Sequence, residues 1–298
     1  MNHKQYNIGL ALSGGGVRGF AHIGALRALE DVGIKPDIIA GVSAGSIVAS
    51  FYAAGMSADE IFEIFDNIDI SKFLQFDISK SGFLKLDKFK KFIAQNLPVE
   101  NIEQLALPAI IAATDITEQQ EKAFTTGNIA ERVIASCSIP LIFKPVKIDG
   151  TYYVDGGVMH NLPSYYLRPL CDTVIGINVS PSKLGPIKMN VRSLAYRTYK
   201  MMTMRNVSAD KQLCDLLVDI VSIQGHSTFD TKAATKIAQK GYFETMKILK
   251  NSPLVDELTR GQENKRTRRQ EDKKTRKQED KKTRGQEDKR TRKQENKR

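Results

Sequence analysis

Between Asp37 and Ala54 the chain passes from a short apolar run into a longer one through Gly41-Val42-Ser43-Ala44-Gly45, with no polar linker between them. A strand over 37–41 has to turn straight into a helix over 44–54 that is apolar nearly throughout, hence buried, and is closed by Gly55. A buried helix that follows a strand without a loop belongs to a sheet covered by helices. The flanking sequence continues the alternation. Residues 6–12 predict a strand, and 18–31 a helix with Phe20, Ile23, Leu26 and Leu29 on one side. Further helices are predicted over 58–67, 88–96, 128–136 and 164–170, and strands over 109–114, 152–155, 173–179 and 220–223. The expected fold class is α/β: a single three-layer domain with a mainly parallel central sheet and helices on both faces.

At Gly261 the chain changes character. An eight-residue repeat, GQENKRTR followed by RQEDKKTR, KQEDKKTR, GQEDKRTR and KQENKR, contains no apolar residue. With no apolar area to offset an ordering cost of about 1–2 kcal/mol per residue, it is expected to be disordered or at best a solvated, ion-paired helix. The expected organisation is a folded domain over 1–260, with its motifs inside about 6–225, and a basic low-complexity tail over 261–298. The tail holds 17 Lys/Arg against 8 Asp/Glu, a net of +9 out of the formal +11, so residues 1–260 carry only +2. High overall basicity is thus a property of the tail and argues against nucleic acid as the partner of the body. Two readings of the tail stand: a passive solvated extension, or an electrostatic tether to an anionic surface.

Cys137, Cys171 and Cys214 are widely spaced, odd in number and without nearby histidines, so neither a disulfide framework nor a zinc site is expected. No stretch reaches the roughly 18–20 consecutive apolar residues of a membrane span, and the N-terminal run is too short and wrongly flanked for a signal peptide. A cytoplasmic protein is expected, with peripheral membrane contact through the tail.

Three motifs close predicted strands. Gly14-Gly15-Gly16-Val17-Arg18-Gly19 lies between a strand and a helix, where free backbone N–H groups and the helix dipole favour an anion. Gly14, Gly16 and Gly19 satisfy the dinucleotide fingerprint, but the second strand closes in Gly41-Val42-Ser43 where that fold wants an acidic residue. A phosphate-binding P-loop fails too, since no Gly-Lys-Ser/Thr follows. Gly41-Val42-Ser43-Ala44-Gly45 is a G-x-S-x-G at a strand-to-helix turn, the setting of a nucleophile elbow. Asp155-Gly156-Gly157 ends the strand over 152–155; Asp-Gly alone usually marks a turn, but in a parallel sheet Asp155 falls on the same carboxyl edge as Ser43 and the glycine loop.

These motifs, in this order and spacing, resemble the patatin-like phospholipase family of bacterial type over roughly residues 6–225. The block Ala135-Ser136-Cys137-Ser138-Ile139-Pro140, running on to Phe143 and Pro145, resembles the family's segment before the aspartate. The resemblance implies a patatin-like fold and a serine lipid acyl hydrolase of the phospholipase A or lysophospholipase kind. It implies Ser43 as nucleophile, Asp155 as base, and Gly14, Gly15 and Gly16 as the oxyanion hole, supported by Arg18, Gly19, Gly41, Gly45, Gly156 and Gly157, with no cofactor and no metal. The substrate implied is a phospholipid or other acyl ester. The charged repeat has no counterpart in the family.

Such chemistry needs a serine deprotonated and an oxyanion held. A carboxylate near its ordinary pKa of about 3.9 is a weak base, so Asp155 has to be partly desolvated and set against Ser43. Histidine is the competing base: His22 is expected to be structural, His3 lies at the N-terminus, and His160 or His226 would complete a Ser-His-Asp triad. Apolar residues Phe73, Leu74, Phe76, Phe83 and Leu84 either pack inside or cover the acyl site. The basic, methionine-rich stretch over 187–212 reads as a core-packing helix with a wet basic side, or as a helix facing a membrane. Two other functions stay open: a nucleotide-binding α/β enzyme using loop 14–19, and a noncatalytic scaffold tethered through its tail.

Overall fold

A computed structural model describes residues 4–66, 84–180, 189–223 and 233–262. The chain divides into two compact units, Met1–Asn251 and Ser252–Arg298, and in the second residues 253–262 are helical. The sheet and its covering helices belong to the first.

The strands are β1 (Tyr6–Leu12), β2 (Ile38–Val42), β3 (Ala109–Asp115), β4 (Gln120–Phe124), β5 (Val146–Ile148), β6 (Thr151–Asp155), β7 (Cys171–Asn178) and β8 (Leu216–Asp219). They form one sheet in the order β5-β6-β3-β2-β1-β7-β8, with β4 also on β3. The pairs β3-β2, β2-β1, β1-β7 and β7-β8 are parallel, whereas β4 and β6 run against β3 and β5 against β6. The register along β3 decides where the site forms. On one edge β4 occupies Ile111 to Asp115. The other edge is shared: Val42 of β2 lies opposite Ala112, and Asp155 of β6 opposite the next residue, Ala113. Two oppositely directed strands therefore meet end to end on β3, each forced to turn off there. The expectation that Asp155 closes a parallel strand is corrected: it closes an antiparallel one, and reaches Ser43 by this head-on meeting.

Helices follow as α1 (Phe20–Asp31), α2 (Ala44–Ala53), α3 (Ala58–Asp66), α4 (Asp87–Asn96), α5 (Ile129–Cys137), α6 (Ser164–Leu167), α7 (Val191–Lys211) and α8 (Ala234–Lys250). They cover both faces because successive strand residues point to opposite sides. On one face Ala11, Ile38, Ala40, Ile110 and Val174 pack with Leu167 of α6 and Val207 of α7. On the other, Gly41 lies against Gly45 and Ser46 of α2. A side chain at Gly45 would collide with the Leu12 and Ser13 carbonyls, so the glycines of the serine turn are what let α2 rest directly on the strands.

Several expected bounds move. The helix expected from Arg18 begins as a 3-10 turn over Gly16–Gly19 and becomes α-helical at Phe20. The second strand starts after Asp37, whose carboxylate accepts the Asn7 and Ile8 N–H groups. The helix over 164–170 stops at Leu167, and the Arg168 guanidinium donates to the carbonyls of Cys171 and Asp172. The strand expected over 220–223 is β8, four residues earlier, because Asp215 accepts the Val174 N–H at 2.7 Å and fixes that register beside β7. Strands β4 and β5 and helix α8 were not expected. His3, His226, Phe73, Leu74, Phe76, Phe83 and the tail from residue 263 lie outside the described residues.

Candidate active site

Ser43 sits at φ 51°, ψ −122°, a left-handed conformation that a serine adopts only when its surroundings impose it. Those surroundings are visible. Its N–H donates to Ser136 Oγ at 2.8 Å, and Ser136 donates in turn to the Ala112 carbonyl at 2.7 Å. Its carbonyl accepts from the Ser46 N–H at 2.9 Å and the Ser46 hydroxyl at 2.6 Å. The backbone is thus tied on both sides, and the side chain is left at the mouth of the sheet, at the start of α2. Gly19 packs on Ala44, so the glycine loop and the serine turn touch.

The glycine loop is organised by Asn161. Gly14 donates its N–H to the Asn161 carbonyl at 3.0 Å, while its own carbonyl accepts from Ser180 Oγ at 3.0 Å and Asn161 Nδ2 at 3.4 Å. The Gly14 N–H is therefore committed, which narrows the expected three-glycine cradle to Gly15 and Gly16, whose N–H groups meet no acceptor among the described residues. Gly16 has φ +63° and is exposed, a turn that presents successive N–H groups on one side. A side chain at Gly14 or at Gly157 would run into the Asn161 carboxamide oxygen, so that residue spans from the loop to the turn after Asp155. His22, buried on α1, hydrogen-bonds the Ser13 carbonyl through Nε2 at 2.7 Å; burial lowers its pKa to about 4 and keeps it neutral.

Asp155 is fully buried. Oδ1 accepts the Gly157 N–H at 2.8 Å, and Oδ2 is buried with no partner at hydrogen-bonding geometry. Burial pushes the carboxyl up to about 6; the Gly157 N–H, the Ser43 and Tyr199 hydroxyls and the charge of Lys200 pull the other way. Gly156 allows the tight exit from β6, since a side chain there would strike the Ala112 carbonyl. Cys137 at the end of α5 lies beside Ser43 and Ser46; burial, then the Asp155 charge, raises its thiol so far that it stays protonated and does not compete as a nucleophile. Arg18 is buried behind the loop, and burial disfavours its charge.

Among the described residues, the other candidate base is engaged elsewhere. His160 Nδ1 lies 2.7 Å from Asp210 Oδ1, and its ring stacks on Tyr165 with centroids 4.3 Å apart. Its partners are thus residues of α6 and α7, and neither Ser43 nor Asp155 is among them.

Glycine loop, serine turn and aspartate turn thus converge in the order the sequence sets them out, and over residues 10–167 the chain matches the family model described as patatin-like phospholipase. The chain belongs to the patatin-like phospholipase family. An uncharacterized NTE family protein of Mycobacterium tuberculosis is 32% identical over 185 residues, covering 61% of this chain and 51% of the relative. Lysophospholipase NTE1 of Pyricularia oryzae is 29% identical over 180 residues, covering 58% of this chain and 12% of that protein. Patatin-like phospholipase domain-containing protein 6 of Mus musculus is 31% identical over 182 residues, covering 58% and 13%. The chain therefore spans about half the length of the mycobacterial relative it matches. Among solved structures, VipD from Legionella pneumophila aligns with a TM-score of 0.57 at 14% identity, covering 82% of this chain and 66% of that one, a likeness of fold.

Within this patatin-like core, the sequence pointed to the motif residues and passed over those that hold them. Ser136 was visible as part of a block but not as the acceptor of the Ser43 N–H. Asn161 and Tyr199 carried no signal, because their roles depend on contacts between segments far apart in the chain. No described helix is long and apolar enough to cross a membrane.

Proposed function

We propose that this chain is a serine lipid acyl hydrolase that cleaves carboxylic esters through a Ser43–Asp155 dyad. The observation that carries the proposal is a desolvated carboxylate, one oxygen unpartnered, beside a serine held in a strained turn. In this mechanism Asp155 takes the Ser43 hydroxyl proton as Oγ attacks the ester carbonyl carbon. The N–H groups of Gly15 and Gly16 stabilise the oxyanion of the tetrahedral intermediate. Its collapse returns the proton to the leaving alcohol and leaves an acyl-enzyme, and water, deprotonated by the same carboxylate, releases the fatty acid. A carboxyl raised to about 6 is a better base than an ordinary one and is still ionised at neutral pH. The names of the lysophospholipase relatives support a lipid ester as substrate. The proposal extends to a cytoplasmic protein whose basic tail over 261–298 makes peripheral contact with anionic membranes.

A fluorophosphonate probe is expected to label the wild type at Ser43 and to leave Ser43→Ala unlabelled. Asp155→Asn is expected to remain folded and to lose ester turnover, whereas His160→Ala keeps substantial turnover. A folded but inactive His160→Ala beside an active Asp155→Asn overturns the dyad.

A further inference from the structure

Helix α7 buries polar residues and exposes apolar ones: Tyr199, Lys200, Thr203 and Asp210 are buried, while Val191, Leu194 and Met201 are exposed. An ordinary amphipathic helix does the reverse. The contacts of the buried face account for it. Asn206 Nδ2 donates to the Val158 carbonyl at 2.6 Å, the Leu162 N–H to Asp210 Oδ2 at 3.3 Å, and Ser164 Oγ to the Asp210 carbonyl at 2.6 Å. Together with the His160–Asp210 contact, these fasten α7 along the segment that leaves Asp155. Tyr199, about two turns before Asn206 and three before Asp210, falls on the same face. Its hydroxyl reaches the aspartate turn. A Cβ on Gly157 would stand 3.0 Å from the Tyr199 hydroxyl oxygen and 3.1 Å from Asp155 Oδ1, so phenol and carboxylate converge over one glycine. The Gly157 N–H already donates to Oδ1, and the missing side chain leaves room for a second donor beside it. A phenol donates only while protonated; burial, then the Asp155 charge, raise the Tyr199 pKa well above its ordinary value.

We propose that Tyr199 is a positioning residue for the base: its hydroxyl donates to the Asp155 carboxylate, favours the ionised form, and holds the group in the orientation that receives the Ser43 proton. The inference rests on the dyad reading above and concerns what sets the pH range of that dyad. A neutral donor suits the task. It stabilises the carboxylate without an ion pair in contact, which would depress the aspartate further and weaken it as a base. Burial raises the carboxyl, and the Tyr199 hydroxyl is among the groups that draw it back to about 6. The neighbouring titratable groups do not supply this midpoint. On α7, Lys200 has its ammonium 5.8 Å from the Tyr199 ring centroid and a pKa of about 8, and on α5 burial keeps Cys137 a thiol. Tyr196 and Arg18 face Lys200.

The test is the pH profile of kcat/KM on a soluble, neutral short-chain ester. The wild type is expected to show its midpoint near 6, and Tyr199→Phe a midpoint raised by about one to two units, the equivalent of one hydrogen bond to a charged group. At pH 6 that is a loss of about 5- to 50-fold, most of which returns by pH 8. A folded Tyr199→Phe whose midpoint stays at the wild-type value overturns the inference, whatever its maximal rate. A second variant serves even where phenylalanine unsettles the fold. Tyr199→3-fluorotyrosine keeps ring and hydroxyl while making the phenol a stronger donor, so its midpoint is expected below that of the wild type; a midpoint unmoved or raised overturns the inference. A tyrosine with a structural role only would lower rate or melting temperature and leave both midpoints in place. Labelling of wild-type Ser43 together with unmoved midpoints sinks only this inference. Wild-type turnover in a folded Asp155→Asn removes the dyad reading, and this inference with it.

Discussion

Asp155, the proposed base, carries a cost in stability. Folded, its carboxyl holds a proton up to about pH 6; unfolded, only to its ordinary value of 3.8. Its contribution to stability is therefore full below pH 3.8 and is lost as pH rises through 6, leaving a buried charge at neutral pH. Asp155→Asn is expected to melt above the wild type at pH 8, by on the order of 2 kcal/mol in stability, with the gap closing towards pH 4. Thermal melts at the two pH values check this, and a variant less stable at pH 8 contradicts it. On the proposed dyad mechanism the same ionisation sets activity: kcat/KM on a neutral ester is expected to rise with pH through a midpoint near 6, because only the carboxylate would accept the Ser43 proton. Ser136→Ala removes the acceptor of the Ser43 N–H and the donor to Ala112, leaving a buried N–H unpaired, a loss of about 1–3 kcal/mol in stability. Its kcat is expected to fall while the fluorophosphonate still reaches Ser43. At this scale the residues proposed for the chemistry were legible in the sequence and those that support them were not. Ser43, Asp155 and the glycines sit in short local patterns, whereas Asn161 joins Gly14 to the Asp155 turn across most of the domain and left no mark in either segment.

Elements show the reverse emphasis. The parallel strands β1, β2, β3 and β7 were legible because each is an apolar run buried on both faces, but the direction of β6 was not, since five residues look alike read either way. Helix α8 escaped notice for a physical reason. Its buried positions include Ala234, Ala238, Gly241 and Thr245, small residues among many lysines, so little apolar signal accompanies a tight contact. A side chain at Gly24 of α1 would collide with the Ala238 carbonyl, and one at Gly241 with the Ala21 carbonyl, so the two helices cross with backbone against backbone. Gly241→Val is expected to lower stability by about 1–3 kcal/mol or more in a denaturant titration, as overpacking does, while the solvent-facing Lys236→Ala leaves it within about 0.5 kcal/mol. Equal stability of the two variants would place the crossing elsewhere.

For the whole molecule, charge and the proposed catalysis are allotted to different stretches of chain. Nine of the eleven net positive charges lie in 261–298, and every residue assigned to the chemistry lies before 212. Deletion of 261–298 is expected to leave turnover of a soluble short-chain ester nearly unchanged while weakening binding to anionic vesicles, an effect that fades as salt rises. A large loss on the soluble ester overturns that division. The shared edge of β3 has a consequence for biosynthesis. Synthesis delivers the glycine loop and Ser43 ahead of β3, yet the half of the β3 edge that receives Asp155 stays empty until β6 emerges. A fragment ending at residue 150 is therefore expected to take up no fluorophosphonate. On the dyad mechanism the nascent chain is harmless to the lipids around it, and competence arrives in one step, when the last strand to reach β3 closes against the end of β2.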